Sequence, residues 1–547
     1  MVSETKSEWW RDAVIYQVYP RSWADADGDG VGDLPGITSR LQHLADLGVD
    51  AIWLSPFYTS PQNDAGYDVA DYRDVDPLFG KLADADAMIA RAHELGLRVI
   101  VDLVPNHSSS EHPWFQAALA SPPGSRERAR YVFRDGTGPG GEEPPNNWPS
   151  VFGGPAWERV EDGQWYLHLF DASQPDFDWT NPEVRAEMES VLRFWLDRGV
   201  DGFRVDVAHG LVKEPGLPDQ DLTLDPQKVE TREFPMWDRD GVHEIYRTWR
   251  ALLDEYDGER ILCAEAWVTP TDRLARYVRP DEMHQTFNFD YLLTPWLAPL
   301  QRAAIDRSLE SMGAVGAPAT WVLSNHDVPR HATRLGFPPS PTVSIAGIGA
   351  DDPQPDTALG LRRARAATTL MLALPGSAYL YQGEELGLPD ATRLPDEARQ
   401  DPTYERSGHR DRGRDGCRVP VPWHSGTPSY GFGPGEASWL PQPEEYGDLA
   451  PDRQEGDPTS TLELYRTLLR LRRERGLGRS TLAWDDATDE DLLALTLTTD
   501  AGATRVLVNF GADPAPLPDG AEVLVASGPL TDDGLPTDTA VWLQSGA

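Results

Sequence analysis

Residues 97–107 read Leu-Arg-Val-Ile-Val-Asp-Leu-Val-Pro-Asn-His. Leu97–Val104 is a short aliphatic run, and Pro105, which has no amide to lend a sheet, stops it. It reads as a strand. Immediately upstream, Ala83–Leu95 has helical spacing and halts at Gly96. Ala51–Leu54 and Ala13–Val18 repeat the strand signal, separated by a helix over Ile37–Leu47 that ends at Gly48. Downstream the alternation resumes with a helix over Pro182–Arg198, a strand over Gly202–Val205, a helix over Val242–Tyr256 and a strand over Ile261–Ala264. Then come strands at Thr320–Leu323 and Ala378–Tyr381, with helices at Gly360–Leu374 and Ser460–Arg475. Repeated strand–helix units predict a parallel sheet. About eight of them predict an α/β fold of the (β/α)8 barrel type.

Two long segments break the rhythm. Residues 105–175 are rich in Pro, Gly and polar residues and are expected to form an inserted domain after the third strand. Residues 384–458 are similar and are expected to form a loop-rich subdomain after the last strand. The barrel is thus assigned to 1–104 and 176–479. After residue 480, LLALTLTT, TRVLVNF and AEVLVA predict a C-terminal antiparallel β domain over 480–547.

A formal charge of −40 excludes nucleic acid as a partner and disfavours anionic membranes. Two cysteines, no signal-peptide pattern and no apolar stretch of spanning length lead us to expect a cytoplasmic protein. The 19 tryptophans suit a sugar ligand, whose apolar ring faces stack on flat side chains.

Barrel enzymes carry their chemistry at the C-terminal ends of the strands. Those ends hold Asp102, Asn106 and His107, then Arg204, Asp206 and His209, then Glu265, and then Asn325, His326 and Asp327. The segments Asp102-Leu-Val-Pro-Asn-His107, Gly202-Phe-Arg-Val-Asp-Val-Ala-His209, Glu265-Ala-Trp267 and Ser324-Asn-His-Asp327 together resemble the four motif regions of the α-amylase superfamily of glycoside hydrolases. Gly66-Tyr-Asp68, Asn146-Asn-Trp148, Gln174-Pro-Asp-Phe-Asp-Trp179, Tyr381-Gln-Gly-Glu-Glu385 and Arg414-Asp-Gly-Cys-Arg418 are similar to its α-glucosidase / oligo-1,6-glucosidase branch.

The resemblance implies a retaining mechanism, which needs two carboxyl groups about 5–5.5 Å apart. It makes Asp206 the nucleophile, Glu265 the general acid/base and Asp327 the third catalytic carboxylate, on the sugar 2- and 3-hydroxyls. Arg204, two residues before Asp206, is expected on the same side of the strand, keeping Asp206 ionised. The negative charges of Asp206 and Asp327 are expected to raise Glu265. The resemblance further implies that Tyr67 stacks under the terminal glucose, that His107 and His326 bind hydroxyls, and that Asp68 pairs with Arg418 to close an exo-acting pocket, with Arg414 in the same motif. Phe152 and Phe170 of the insert are expected to wall it.

The loop Asp25-Ala-Asp-Gly-Asp-Gly-Val-Gly-Asp33 sets carboxylates at alternate positions. The side chains of Asp25, Asp27, Asp29 and Asp33 with the Val31 carbonyl make a calcium-type oxygen cage. The resemblance implies a structural Ca2+ (or Mg2+) here.

In this branch, Val after the nucleophile resembles α-1,6-preferring enzymes, and Val207 stands there, whereas Ala208-His209 and Gln174-Pro-Asp depart from that pattern. The expected activity is release of terminal glucose from maltose-type α-1,4 (and also α-1,6) oligosaccharides or small α-glucosides. A transglucosidase or a sucrose/trehalose-type isomerase on the same scaffold is the alternative. The Pro-rich segment 335–358 is expected to shape the acceptor side.

Overall fold

The structure, a computed structural model, describes residues 8–225, 228–340 and 345–544. Eight parallel strands form the central sheet: β1 Val14–Val18, β2 Ala51–Leu54, β3 Arg98–Leu103, β4 Gly202–Val205, β5 Ile261–Ala264, β6 Gln285–Thr286, β7 Thr320–Val322 and β8 Ser377–Tyr381. Hydrogen bonding runs in the order β6-β5-β4-β3-β2-β1-β8-β7, so the sheet is a barrel closed everywhere except along the β6/β7 seam. All residues of these strands except Arg98 are buried.

Helices α1 Leu34–Leu47, α2 Leu82–Glu94, α3 Pro182–Asp197, α4 Val242–Leu253, α5 Ala298–Ala314, α6 Thr357–Ala373 and α7 Thr461–Arg475 follow strands β1, β2, β3, β4, β6, β7 and β8. Their starts are fixed by side-chain caps. Asp33, Asn181, Asp356 and Ser460 accept from the amides of Gly36, Glu183, Leu359 and Glu463. Gly48, at φ 96°, ends α1 in a conformation that a side chain would strain. After β5 only short turns at Thr271–Leu274 and Ala275–Val278 stand in for a helix.

Between β3 and α3 the insert carries a small antiparallel sheet of Phe133–Asp135, Gln164–Leu167 and Trp157–Arg159. Two devices dock it on the barrel. The ammonium of Lys213, buried, donates to Asn106 Oδ1 at 2.8 Å and the Gly210 carbonyl at 2.6 Å, and pairs with Asp176 at 2.8 Å. Asn146 Nδ2, Asn147 Nδ2 and Trp148 Nε1 donate to the carbonyls of Leu217, Gln220 and Pro218 in the loop after β4. The C-terminal sheet is antiparallel, in the order β9 Thr481–Trp484, β10 Leu492–Thr499, β11 Gly502–Asn509, β13 Thr539–Gln544, β12 Glu522–Ala526. Asp538 ties it to the barrel, accepting from Trp296 at 2.7 Å and Arg363 at 2.9 Å. No helix among the described residues is long and apolar enough to cross a membrane. Residues 341–344 of the Pro-rich segment lie outside the described residues.

Candidate active site

Arg204 is the last but one residue of β4, and its side chain is almost wholly buried. Its Nη1 donates to Asp206 Oδ1 at 2.6 Å and to Asp102 Oδ1 at 2.8 Å. Its Nη2 stands 3.9 Å from Glu265 Oε2. One guanidinium therefore gathers carboxylates from the ends of β3, β4 and β5, as the alternation of side chains along β4 predicts. Glu265 Oε2 also accepts from the Val207 amide at 2.7 Å.

Proton affinities follow from this crowding. Burial pushes the Asp206 carboxyl well above the ordinary carboxylate range; Arg204 opposes it, and Glu265, Asp102 and Asp327 add to it. Arg204 favours the ionised Asp206, as expected, but burial outweighs it, because its single charge is shared among three acids. Glu265 is raised as expected, but burial is the first cause, with Arg204 and the Val207 amide pulling down and Asp327 adding to the rise. The preference between the two acids is set by distance. Arg204 sits closer to Asp206 than to Glu265, so a charge shared by the pair rests on Asp206 and the proton on Glu265.

Asp327 behaves differently. Burial alone would raise it, but the guanidiniums of Arg414 at 3.0 Å and Arg418 at 3.2 Å hold it below the ordinary range, with the His326 ring 3.3 Å away. His326 is kept neutral by burial. Gln17 Nε2 lies 2.7 Å from its Nδ1, and an amide NH2 only donates, so Nε2 carries the proton. That proton faces the Tyr67 hydroxyl at 2.6 Å, which in turn donates to Asp102 Oδ2 at 3.1 Å. The Tyr67 and His326 rings stack, 5.3 Å apart and 6° from parallel. His107, pushed by burial down to about 4, sits 3.2 Å from Gln174 Nε2. Phe170 packs 5.2 Å from His107 and 5.7 Å from Phe152.

The expected pairing of Asp68 with Arg418 is not what the structure holds. Asp68 is fully buried and turned to its own loop, accepting from Ser60 Oγ at 2.9 Å and from the amides of Asn63 at 2.9 Å and Asp64 at 3.1 Å. Arg418 instead donates to the His326 carbonyl at 2.8 Å and to Asp327. The pairing acid is Asp64, 2.8 Å from Arg414 Nη2. The physical reason is local: three donors from the Ser60–Asp64 turn hold Asp68 to its own loop. Arg414 also binds Asp401 at 2.6 Å and lies over the Phe152 ring at 5.2 Å. Sequence reasoning missed Asp64, Asp401 and Gln17. Asp64 stands three residues before the singled-out Tyr67, but no strand end marks it.

In the loop after β1, Asp25, Asp27 and Asp29 offer oxygens within 4.8 Å of one another. Asp33 lies beside Asp27 and also caps the next helix. Its two oxygens accept from Gly36 at 2.6 Å and Ala26 at 2.9 Å, the first being the cap of α1. The Asp25 amide donates to the Phe432 carbonyl at 2.8 Å, so the loop braces the long excursion after β8.

Comparison with known proteins agrees with this geometry. Residues 17–479 match the α-amylase catalytic-domain family. Maltase 1 of Drosophila virilis is 39% identical over 496 residues, covering 86% of this chain and 73% of that protein. Oligo-1,6-glucosidase of Parageobacillus thermoglucosidasius is 35% identical over 512 residues, covering 86% and 84%. The crystal structure of an α-glucosyl transfer enzyme superposes with a TM-score of 0.85 at 36% identity, covering 99% of each chain. With three carboxylates converging at the strand ends of a (β/α)8 barrel and this family matched over most of its length, the chain belongs to the α-amylase superfamily of glycoside hydrolases, in its α-glucosidase branch.

Proposed function

We propose that this protein is a retaining, exo-acting α-glucosidase that removes terminal glucose from maltose-type α-1,4 oligosaccharides, with α-1,6 linkages also accepted. The observation that carries the exo reading is Arg414. One guanidinium bonds Asp64 from the loop after β2, Asp327 from the end of β7 and Asp401 from the excursion after β8, and covers Phe152 of the insert. Four chain segments are thereby drawn together beside Asp327, a closure that supports a pocket for a sugar end over a groove for a continuing polymer.

In the first step Glu265 gives its proton to the glycosidic oxygen while Asp206 attacks the anomeric carbon; the C1–O bond breaks and a glucosyl ester forms. Arg204 holds Asp206 Oδ1, which leaves Oδ2 for the attack. In the second step Glu265, now ionised, takes a proton from water, and the water oxygen displaces Asp206. Asp327, Arg414, His107 and His326 hold the sugar hydroxyls. Product analysis with maltotriose tests this reading: glucose and maltose should appear first, and early longer products would contradict it.

Transfer to a sugar hydroxyl in place of water is a second reading, favoured by the likeness to the α-glucosyl transfer enzyme. The product mixture from concentrated maltose separates the two. The Asp25, Asp27 and Asp29 oxygens with the Val31 carbonyl would hold a structural Ca2+ or Mg2+, and Asp33 would serve the site by fixing the start of α1. A cytoplasmic setting fits the two free, buried cysteines.

A further inference from the structure

Val207 follows Asp206 directly and sits at φ 46°. A β-branched residue in the left-handed region is a backbone outlier, and such outliers persist where the surroundings impose them. Here the surroundings can be named. The Val207 amide donates to Glu265 Oε2 at 2.7 Å, and the next amide, Ala208, donates to the Glu265 carbonyl at 2.8 Å. Gly210 N returns to the Val207 carbonyl at 2.9 Å, closing the turn. A Cβ on Gly210 would stand 2.7 Å from Val207 Cγ1 and 2.8 Å from the Trp237 ring, so the turn is also packed from outside. The chain bends out of its strand immediately after Asp206, and the bend points two amides at Glu265.

We propose that the Val207 peptide amide is a positioning group for general acid catalysis: it fixes Glu265 Oε2, makes Oε1 the proton-bearing oxygen, and stabilises the carboxylate left when that proton departs. This inference rests on the assignment of Glu265 as acid/base. When Glu265 Oε1–H gives its proton to the leaving oxygen, the electron pair of the O–H bond stays on the carboxylate and is shared with Oε2. There the amide hydrogen already waits, with no reorganisation needed. The left-handed φ at Val207 turns the chain just beyond this amide, so that the next one, Ala208, also meets Glu265, at its carbonyl.

The test replaces the amide and keeps the side chain. The 207 residue is exchanged for its α-hydroxy acid, giving a backbone ester with the same isopropyl group, and compared with Glu265→Gln and with wild type. Substrates are maltose, whose leaving group needs the proton, and 2,4-dinitrophenyl α-glucoside, whose leaving group does not. The ester should lower kcat/KM for maltose by about 10- to 100-fold, leave kcat/KM for the dinitrophenyl substrate within about threefold, and move the basic limb of the pH profile upward. An equal loss on both substrates with an unmoved basic limb would overturn the inference. Glu265→Gln separates the two layers of the account. If it too shows no leaving-group dependence, the acid/base assignment itself fails; if it does and the ester does not, only the role of the amide fails. Val207→Gly, which keeps the donor and tolerates φ 46°, should retain the wild-type basic limb.

Discussion

Arg204 bonds Asp206 at 2.6 Å while its other nitrogen stops 3.9 Å from Glu265. That inequality decides which of two buried acids holds the charge. With Asp206 as the nucleophile, turnover needs it ionised, and burial holds its carboxyl above the ordinary range, so activity should be lost as falling pH protonates it. Removing the guanidinium leaves burial and three acids unopposed and raises Asp206 further. In Arg204→Gln the acid limb of kcat/KM should therefore move to higher pH, with roughly a 10³-fold loss at neutral pH. A pH series on an aryl α-glucoside reads both; an unmoved acid limb would contradict the assignment.

Asp64 and Asp68 lie four residues apart and should answer differently to the same change. Asp64→Asn removes one of the three counter-charges of Arg414 and should lower kcat/KM for maltose by about 10²-fold with little change in melting. Asp68→Asn leaves a donor where an acceptor was, facing Ser60 and two amides, and should cost about 1–3 kcal/mol of stability with smaller kinetic consequences. Kinetics and urea titration of both variants check the contrast.

The metal reading predicts a purely structural effect. Chelation should lower Tm by several degrees, and added Ca2+ should restore it by binding the folded state alone. In Asp27→Ala neither treatment should matter, since one of the three clustered carboxylates is gone. Turnover measured well below Tm should be the same with and without chelator.

Lys213 is a buried ammonium with three oxygen partners from the barrel and the insert. Lys213→Met leaves Asp176 without its cation and should destabilise the folded chain by about 3–5 kcal/mol. The insert carries Phe152 and Phe170, so KM for maltose should rise as well. Hydrogen exchange should quicken across the insert first.

The sequence made the barrel legible where strands are aliphatic. Gly202–Val205, Ile261–Ala264 and Leu492–Thr499 are found in the structure with the expected bounds. It hid β6, because two polar residues, Gln285 and Thr286, give no apolar run. It hid α5, whose buried face is Ala298, Gln301, Ala304, Ile305, Ser308 and Met312, too small and too polar to show a stripe. At the site, Asp206, Glu265 and Asp327 were readable because strand ends and motifs coincide there. Asp64 was not. What identifies it is Arg414, 350 positions away, and a partner at that distance is set by the closure of the barrel and not by local pattern.

The central claim is that Asp206 carries the glucosyl group between the two steps. The direct measurement is trapping with 5-fluoro-α-glucosyl fluoride, whose electron-poor ring slows release of the intermediate, followed by proteolysis and mass spectrometry. The account predicts one fluoroglucosyl group per chain, on the peptide containing Asp206 and on that residue. A label on Glu265 or Asp327, or turnover of the reagent with no ester formed at any time, would contradict it.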